Sequence, residues 1–148
     1  MDWRDWVVQE ARSWKRTPYV HQGRVKGVGT DCGGMIYQIF NQLLPLPPFP
    51  NDYPQDWAMH RGDHEIYLSF IMPFVIEVPE PVRGGITVFQ FGRNYSHGAI
   101  FTDKKTYVHA YGRNDFGKVI ESSPAFFMQG RVPRLAKHFD LDSQCLTS

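Results

Sequence analysis

The sequence predicts a single α+β domain, with N-terminal helices packed on a central antiparallel sheet. Three observations lead there. The first third of the chain carries apolar residues at helical spacing, whereas the stretch after Pro81 alternates with a period of two. Helices come first and a strand meander follows, which is the α+β order. A length of 148 residues suits one buried core. With 42% hydrophobic and 21% charged residues, the composition is that of a globular chain, not a disordered one. The formal charge of +1 supplies no basic face for nucleic acid. No run approaches the ~20 apolar residues of a membrane span, so membrane insertion is not expected either.

The first helix is expected over residues 2–16, where Trp3, Trp6, Val7, Ala11 and Trp14 form a stripe. Thr17-Pro18 ends it, and Tyr19 to Gly29 reads as a loop. A second helix starts at Cys32, with Thr30 or Asp31 as its cap, and buries Met35, Ile36, Ile39, Phe40, Leu43 and Leu44. The prolines from Pro45 to Pro50 stop it, because proline lacks the helix donor and clashes with the preceding turn. Pro45 to Pro54 then reads as an extended wrap, and a third helix is expected from about Pro54 to Ile71. Strands follow at Ile86–Phe91, His97–Thr102 and Thr106–Tyr111, with two more around Val119–Glu121 and Gly130–Leu135. Residues 1–148 are expected to form one domain, with a frayed polar tail over 139–148.

Met1-Asp2-Trp3-Arg4-Asp5-Trp6 lacks the basic-then-apolar pattern of a secretory signal. Synthesis in a cytoplasm is therefore expected, with any passage outward by another carrier. Two cysteines, Cys32 and Cys145, do not make a disulfide framework.

The chemistry centres on Cys32, in Asp31-Cys32-Gly33-Gly34. Unpaired N–H groups and the dipole at a helix start favour a thiolate, the form that attacks carbonyls. Gly33 and Gly34 would leave room for a substrate backbone. The bland alternative is a buried filler thiol. His97 and His109 lie on successive strands, and a hairpin centred on Asp103 would set them directly opposite, with Cβ atoms ~5 Å apart. His97 would then act as general base to Cys32, and His109 would hold its tautomer. Ordinary strand histidines, or a metal site built from Cys32, His97 and His109, are the competing readings. His60 and His64 could hold zinc, but no glutamate stands in the metalloprotease arrangement. No metal and no cofactor are expected.

These segments resemble the NlpC/P60 cysteine peptidases, which cleave peptidoglycan stem peptides. The resemblance rests on Asp31-Cys32-Gly33-Gly34, His97-Gly98-Ala99-Ile100 and Val108-His109-Ala110. The run from Thr17 to Cys32, with Tyr53-Pro54-Gln55-Asp56-Trp57, is similar to the phage and prophage tail-tip branch of that family. The likeness spans roughly residues 5 to 135. It implies a papain-like α+β core and a Cys32–His97–His109 triad. It also implies that Tyr19 helps to bind the oxyanion, with the Cys32 N–H beside it. Asp31, Gly33, Ser96 and Arg24 are expected to bind substrate, Arg24 through the stem carboxylates, with Lys26 and Arg113 as further cations. The implied activity is a cysteine endopeptidase or amidase, carried in a virion tail tip or baseplate among hub proteins to open the cell wall during genome delivery. The alternative is a structural plug that keeps an old peptidase fold. Two positions depart from the family pattern. Gly33 replaces a serine or bulky residue, and Gly84-Gly85 replaces Gly-Asp.

Overall fold

The computed structural model describes residues 1–48, 66–112 and 117–146. Asp2 opens α1 (Trp3–Ser13) by accepting the Asp5 N–H, and Val7, Val8 and Ala11 face the core. Asp31 opens α2 (Cys32–Asn41) in the same way. That helix buries Cys32, Met35, Ile36, Ile39 and Phe40, each fully buried Ile or Phe contributing about 2–3 kcal/mol. It ends three residues before the expected Leu44, in a tight turn that delivers the chain to Pro45. Of the expected third helix, α3 (Ile66–Ile71) is present, while residues 54–65 lie outside the described residues. Tyr53–Trp57, His60, His64 and Arg113 lie outside them too. Among the described residues, no helix is long and apolar enough to cross a membrane.

The sheet contains β3 (Val75–Val78), β4 (Ile86–Phe91), β5 (Asn94–Phe101), β6 (Tyr107–Tyr111), β7 (Lys118–Ser122) and β10 (Ala136–Leu141). Its order is β3-β10-β4-β5-β6-β7, and every pairing is antiparallel. β4 matches the expected strand residue for residue. Residues 139–141 of the expected frayed tail instead belong to β10, an interior strand, with Phe139 and Leu141 almost fully buried. Lys137, His138 and Asp140 hid that alternation among charges. The expected strand from Gly130 to Leu135 is instead part of a small hairpin, β8 (Met128–Gln129) with β9 (Val132–Pro133), turning at Gly130 with φ +66°.

The two faces of the sheet are covered differently. Ile86, Val88, Ile100, Val108, Ala110 and Val119 meet α1, α2 and α3. Phe89, Ala99 and Tyr107 lie on the other face beneath a 3-10 turn (Pro124–Phe127). Phe127 stacks flat on Phe89, with centroids 3.8 Å apart. Gly85, at the position of the missing carboxylate, explains its own identity. A Cβ there would sit 2.6 Å from the Phe139 carbonyl oxygen.

Candidate active site

Cys32 begins α2, as expected, but its sulfur is buried and protonated. Burial, with the Asp31 carboxylate nearby, pushes the thiol up to about 12. The backbone N–H groups of Gly98, Cys32 and Gly33 hydrogen-bond toward the sulfur and pull the other way without winning. The resting thiolate that the helix start favours is thus overridden by desolvation. The thiol donates to the Ser96 carbonyl at 3.6 Å. Ser96 precedes His97 and Gly98 follows it, so the sulfur is clamped to the backbone on both sides of the histidine. No hydrogen bond joins the sulfur to either imidazole in this resting arrangement.

Glycine at 98 is what lets the helix approach. A Cβ there would lie 1.9 Å from the Tyr67 hydroxyl and 2.8 Å from Ile36. The same Tyr67 hydroxyl donates to the Cys32 carbonyl at 3.2 Å, fixing the first turn of α2 to α3.

His97 and His109 share the face turned away from the helices. Their register differs from the expected one. Lys105 takes a left-handed conformation (φ 59°), giving a three-residue loop that pairs Ile100 with Val108 and Phe101 with Tyr107. The histidines are therefore diagonal neighbours, still in reach. His97 Nε2 and His109 Nδ1 are 2.7 Å apart, and His109 Nε2 lies 2.9 Å from Ser122 Oγ. Two neutral rings satisfy this chain if His97 Nε2–H donates to His109 and His109 Nε2–H donates to Ser122. His97 Nδ1 then keeps its lone pair. Burial lowers the proton affinity of both rings, helped at His97 by the Arg134 charge and at His109 by His97. Phe91, Phe126 and Phe127 supply that burial, with ring centroids 4.8–5.1 Å from one imidazole or the other.

Tyr19 stands close enough to Cys32 and Asp31 for their charges to raise its phenol further, after burial has done most of the work. Its ring packs over Gly112, where a Cβ would sit 2.5 Å away. Its N–H bonds to the Gly117 carbonyl at 2.9 Å, which ties the loop to the far edge of the sheet.

The remaining expected residues are placed differently. Asp31 is fully buried. One oxygen accepts the Gly34 N–H at 2.7 Å and the other the Gln22 N–H at 2.9 Å, so it caps the helix and braces the loop instead of meeting substrate. Ser96 is buried, and its hydroxyl donates to the Phe91 carbonyl at 3.2 Å. Gly33 is buried beside a small apolar cavity lined by Ile36, Tyr67 and Phe70. The open space expected at Gly34 is filled, since a Cβ would sit 2.2 Å from the Gly23 carbonyl. Arg24, on β1 (Arg24–Val25), packs against Gly34, Tyr37 and Gln38, the side of α2 opposite to Cys32. Both cysteines are free thiols. Among the described residues, no three side chains form a metal-binding group. The facing nitrogens of His97 and His109 are bonded to each other.

Sequence reasoning missed Ser122, Tyr67 and Arg134. Ser122 lies one alternation from Ile120, on the face of His109, and the β6–β7 register would have revealed it.

Over 90% of the chain, the fold superposes on the NlpC/P60 domain of the peptidoglycan hydrolase SagA, covering 96% of that domain with a TM-score of 0.57. The chain has the NlpC/P60 fold. Sequence identity to that domain is 21%. The chain is also similar to a gamma-DL-glutamyl hydrolase of Bacillus subtilis (strain 168), 27% identical over 108 residues. That match takes in 70% of this chain and spans only 22% of the relative's length. No family model matches the chain.

Proposed function

We propose that this chain is a cysteine peptidase of the NlpC/P60 family that cleaves peptidoglycan stem peptides. The observation that carries the reading is the clamp on the sulfur by the backbone flanking His97, joined to the His97–His109–Ser122 relay. Similarity to two hydrolases, one named for peptidoglycan and one for gamma-glutamyl bonds, supports it.

The chemistry follows from the resting protonation states. When a substrate carbonyl reaches the sulfur, His97 Nδ1 takes the thiol proton as the C–S bond forms. The His97 imidazolium then lies over a ring pair that is otherwise neutral. His109 holds its Nε2–H, and Ser122 in turn holds His109. The developing oxyanion would receive the Cys32 N–H and the Tyr19 hydroxyl, one such donor being worth about 3 kcal/mol. His97 returns the proton to the leaving amine. Water, deprotonated by the same ring, then releases the acyl group and regenerates the thiol. Asp31, held inside the fold, supports the helix start and takes no part in proton transfer.

The test uses purified protein and defined gamma-D-glutamyl stem peptides, with products read by mass. Turnover that is lost in Cys32→Ala and in alkylated wild type is the expected result. Equal turnover by Cys32→Ala removes the reading.

We extend the proposal to place: a phage-type tail tip or baseplate, among hub proteins, acting on the cell wall during genome delivery. The run from Thr17 to Cys32 supports this. Particles from a producing strain should contain the chain by mass spectrometry. Cys32→Ala particles should assemble and adsorb yet deliver DNA poorly. Normal delivery by them would favour the structural plug.

A further inference from the structure

Arg134, which follows β9, is brought by the chain path to the rim of the candidate site. Its N–H donates to the Phe127 carbonyl at 3.1 Å, and Nη1 donates to the Gln90 carbonyl at 3.2 Å. The guanidinium carbon lies 3.9 Å above the Phe91 ring, and Phe91 in turn packs 4.8 Å from the His97 imidazole. The group is thus held from two sides, by an aromatic face and a carbonyl, beside the proposed base.

Its charge is not neutralised. Arg4, Arg12, Lys26 and Arg83 each pair with a carboxylate, but among the described residues none lies within ion-pair distance of Arg134. A half-buried guanidinium that is stacked and singly bonded keeps most of its five donors in one plane for a planar anion. We propose that Arg134 is the specificity residue of this site, anchoring a free carboxylate on the peptide residue next to the bond to be cut. This role, expected of Arg24, falls to a residue on the opposite side of the fold. It rests on the peptidase reading above.

A carboxylate bound there has a second consequence. Burial already disfavours a proton on His97, and the uncompensated Arg134 charge adds to that. Neutralising that charge makes His97 a better base at the moment substrate is present. A carboxamide in the same position would leave the positive charge uncompensated.

The experiment measures binding separately from turnover. Two gamma-D-glutamyl peptides, one with a free α-carboxylate and one with the α-carboxamide, are titrated calorimetrically into Cys32→Ala protein. The acid should bind about tenfold more tightly, as expected for one charge-assisted pair. That preference should fall below about twofold in Cys32→Ala/Arg134→Gln and persist in part in Cys32→Ala/Arg134→Lys. Circular dichroism confirms that each variant is folded. Equal binding of acid and amide, binding of neither, or a preference that survives Arg134→Gln overturns the anchor. Turnover separates the two proposals. Equal hydrolysis of acid and amide by wild type removes the anchor and keeps the peptidase. An Arg134-dependent preference without hydrolysis keeps the anchor and removes the peptidase.

Discussion

The two faces of the sheet treat their reactive groups in different ways. On the helix side, Cys32 is held by backbone: the Ser96 carbonyl and the N–H groups around it. On the far side, His97 is held by side chains, through His109 to Ser122 and against Phe91 and Phe127. Burial acts on both and favours the neutral form of each. The contrast teaches that the sulfur's position depends on how closely α2 can approach β5. The imidazole's position depends on a chain of substitutable groups. Each half is open to its own kind of damage.

The largest expected effect comes from removing the proposed base without disturbing its packing. His97→Gln should lower kcat/KM by about 10²–10⁴-fold, the usual worth of a general base, with the melting temperature little changed. A variant that keeps wild-type rates would show that the relay is structural. Next comes the approach of helix to strand. Gly98→Ala drives a methyl group into the Tyr67 hydroxyl, so stability should drop by about 1–3 kcal/mol in denaturant titration. Activity should fall with it, because the clamp on the sulfur shifts. Unchanged stability would mean that the two layers are not tightly coupled here.

Gly112→Ala probes the seat of Tyr19. The added methyl would meet the phenol ring, and kcat should fall by about 10²–10³-fold if the hydroxyl serves the oxyanion. Adding Tyr19→Phe to that variant should then cost little more, since both changes remove one donor. Full additivity would assign Tyr19 to packing. Ser122→Ala is milder. It leaves one buried ring nitrogen without its partner, a loss of about 1–3 kcal/mol in stability, with part of it appearing as lower kcat.

The smallest effect is on pH. Both histidines are harder to protonate in the fold than in the unfolded chain. The unfolded chain therefore binds more protons as pH falls below about 6.5, and stability should begin to decline there. Glu121 acts at a lower range. Burial raises it, but hydrogen bonds from Arg12, Thr106 and Lys15 outweigh that and hold it at about 2. Its share of stability is present above about 4.5 and is lost as pH drops toward 2. Thermal melts of wild type and His109→Asn from pH 8 to pH 3 check the first range. A wild-type curve flat to pH 5 would contradict the buried neutral pair.

Much of the fold was legible because its signals are local. Apolar spacing marks α1 and α2, Asp31 marks the start of α2, and alternation marks β4 to the residue. The pairing of His97 with His109 was legible as well, since a short turn brings the strands together. Its register was not, because the hairpin centres on Lys104, one residue beyond the expected Asp103, with Lys105 left-handed, a shift that no periodicity reveals. β10 escaped notice for a different reason. Its two core residues stand among charges that pair with other parts of the fold, Asp140 between them with Arg4 and Lys137 before them with Glu77.

By itself the chain determined which residues are the candidates for the proposed chemistry, a thiol at a capped helix start and two imidazoles on one hairpin face. Those choices depend on neighbours a few positions away. Tertiary structure decided the protonation of that thiol, because burial between layers outweighs the field of one helix end. It also decided which cation stands beside the imidazole. Arg24 and Arg134 look alike in sequence, and only the crossing of distant segments sets one behind α2 and the other on Phe91.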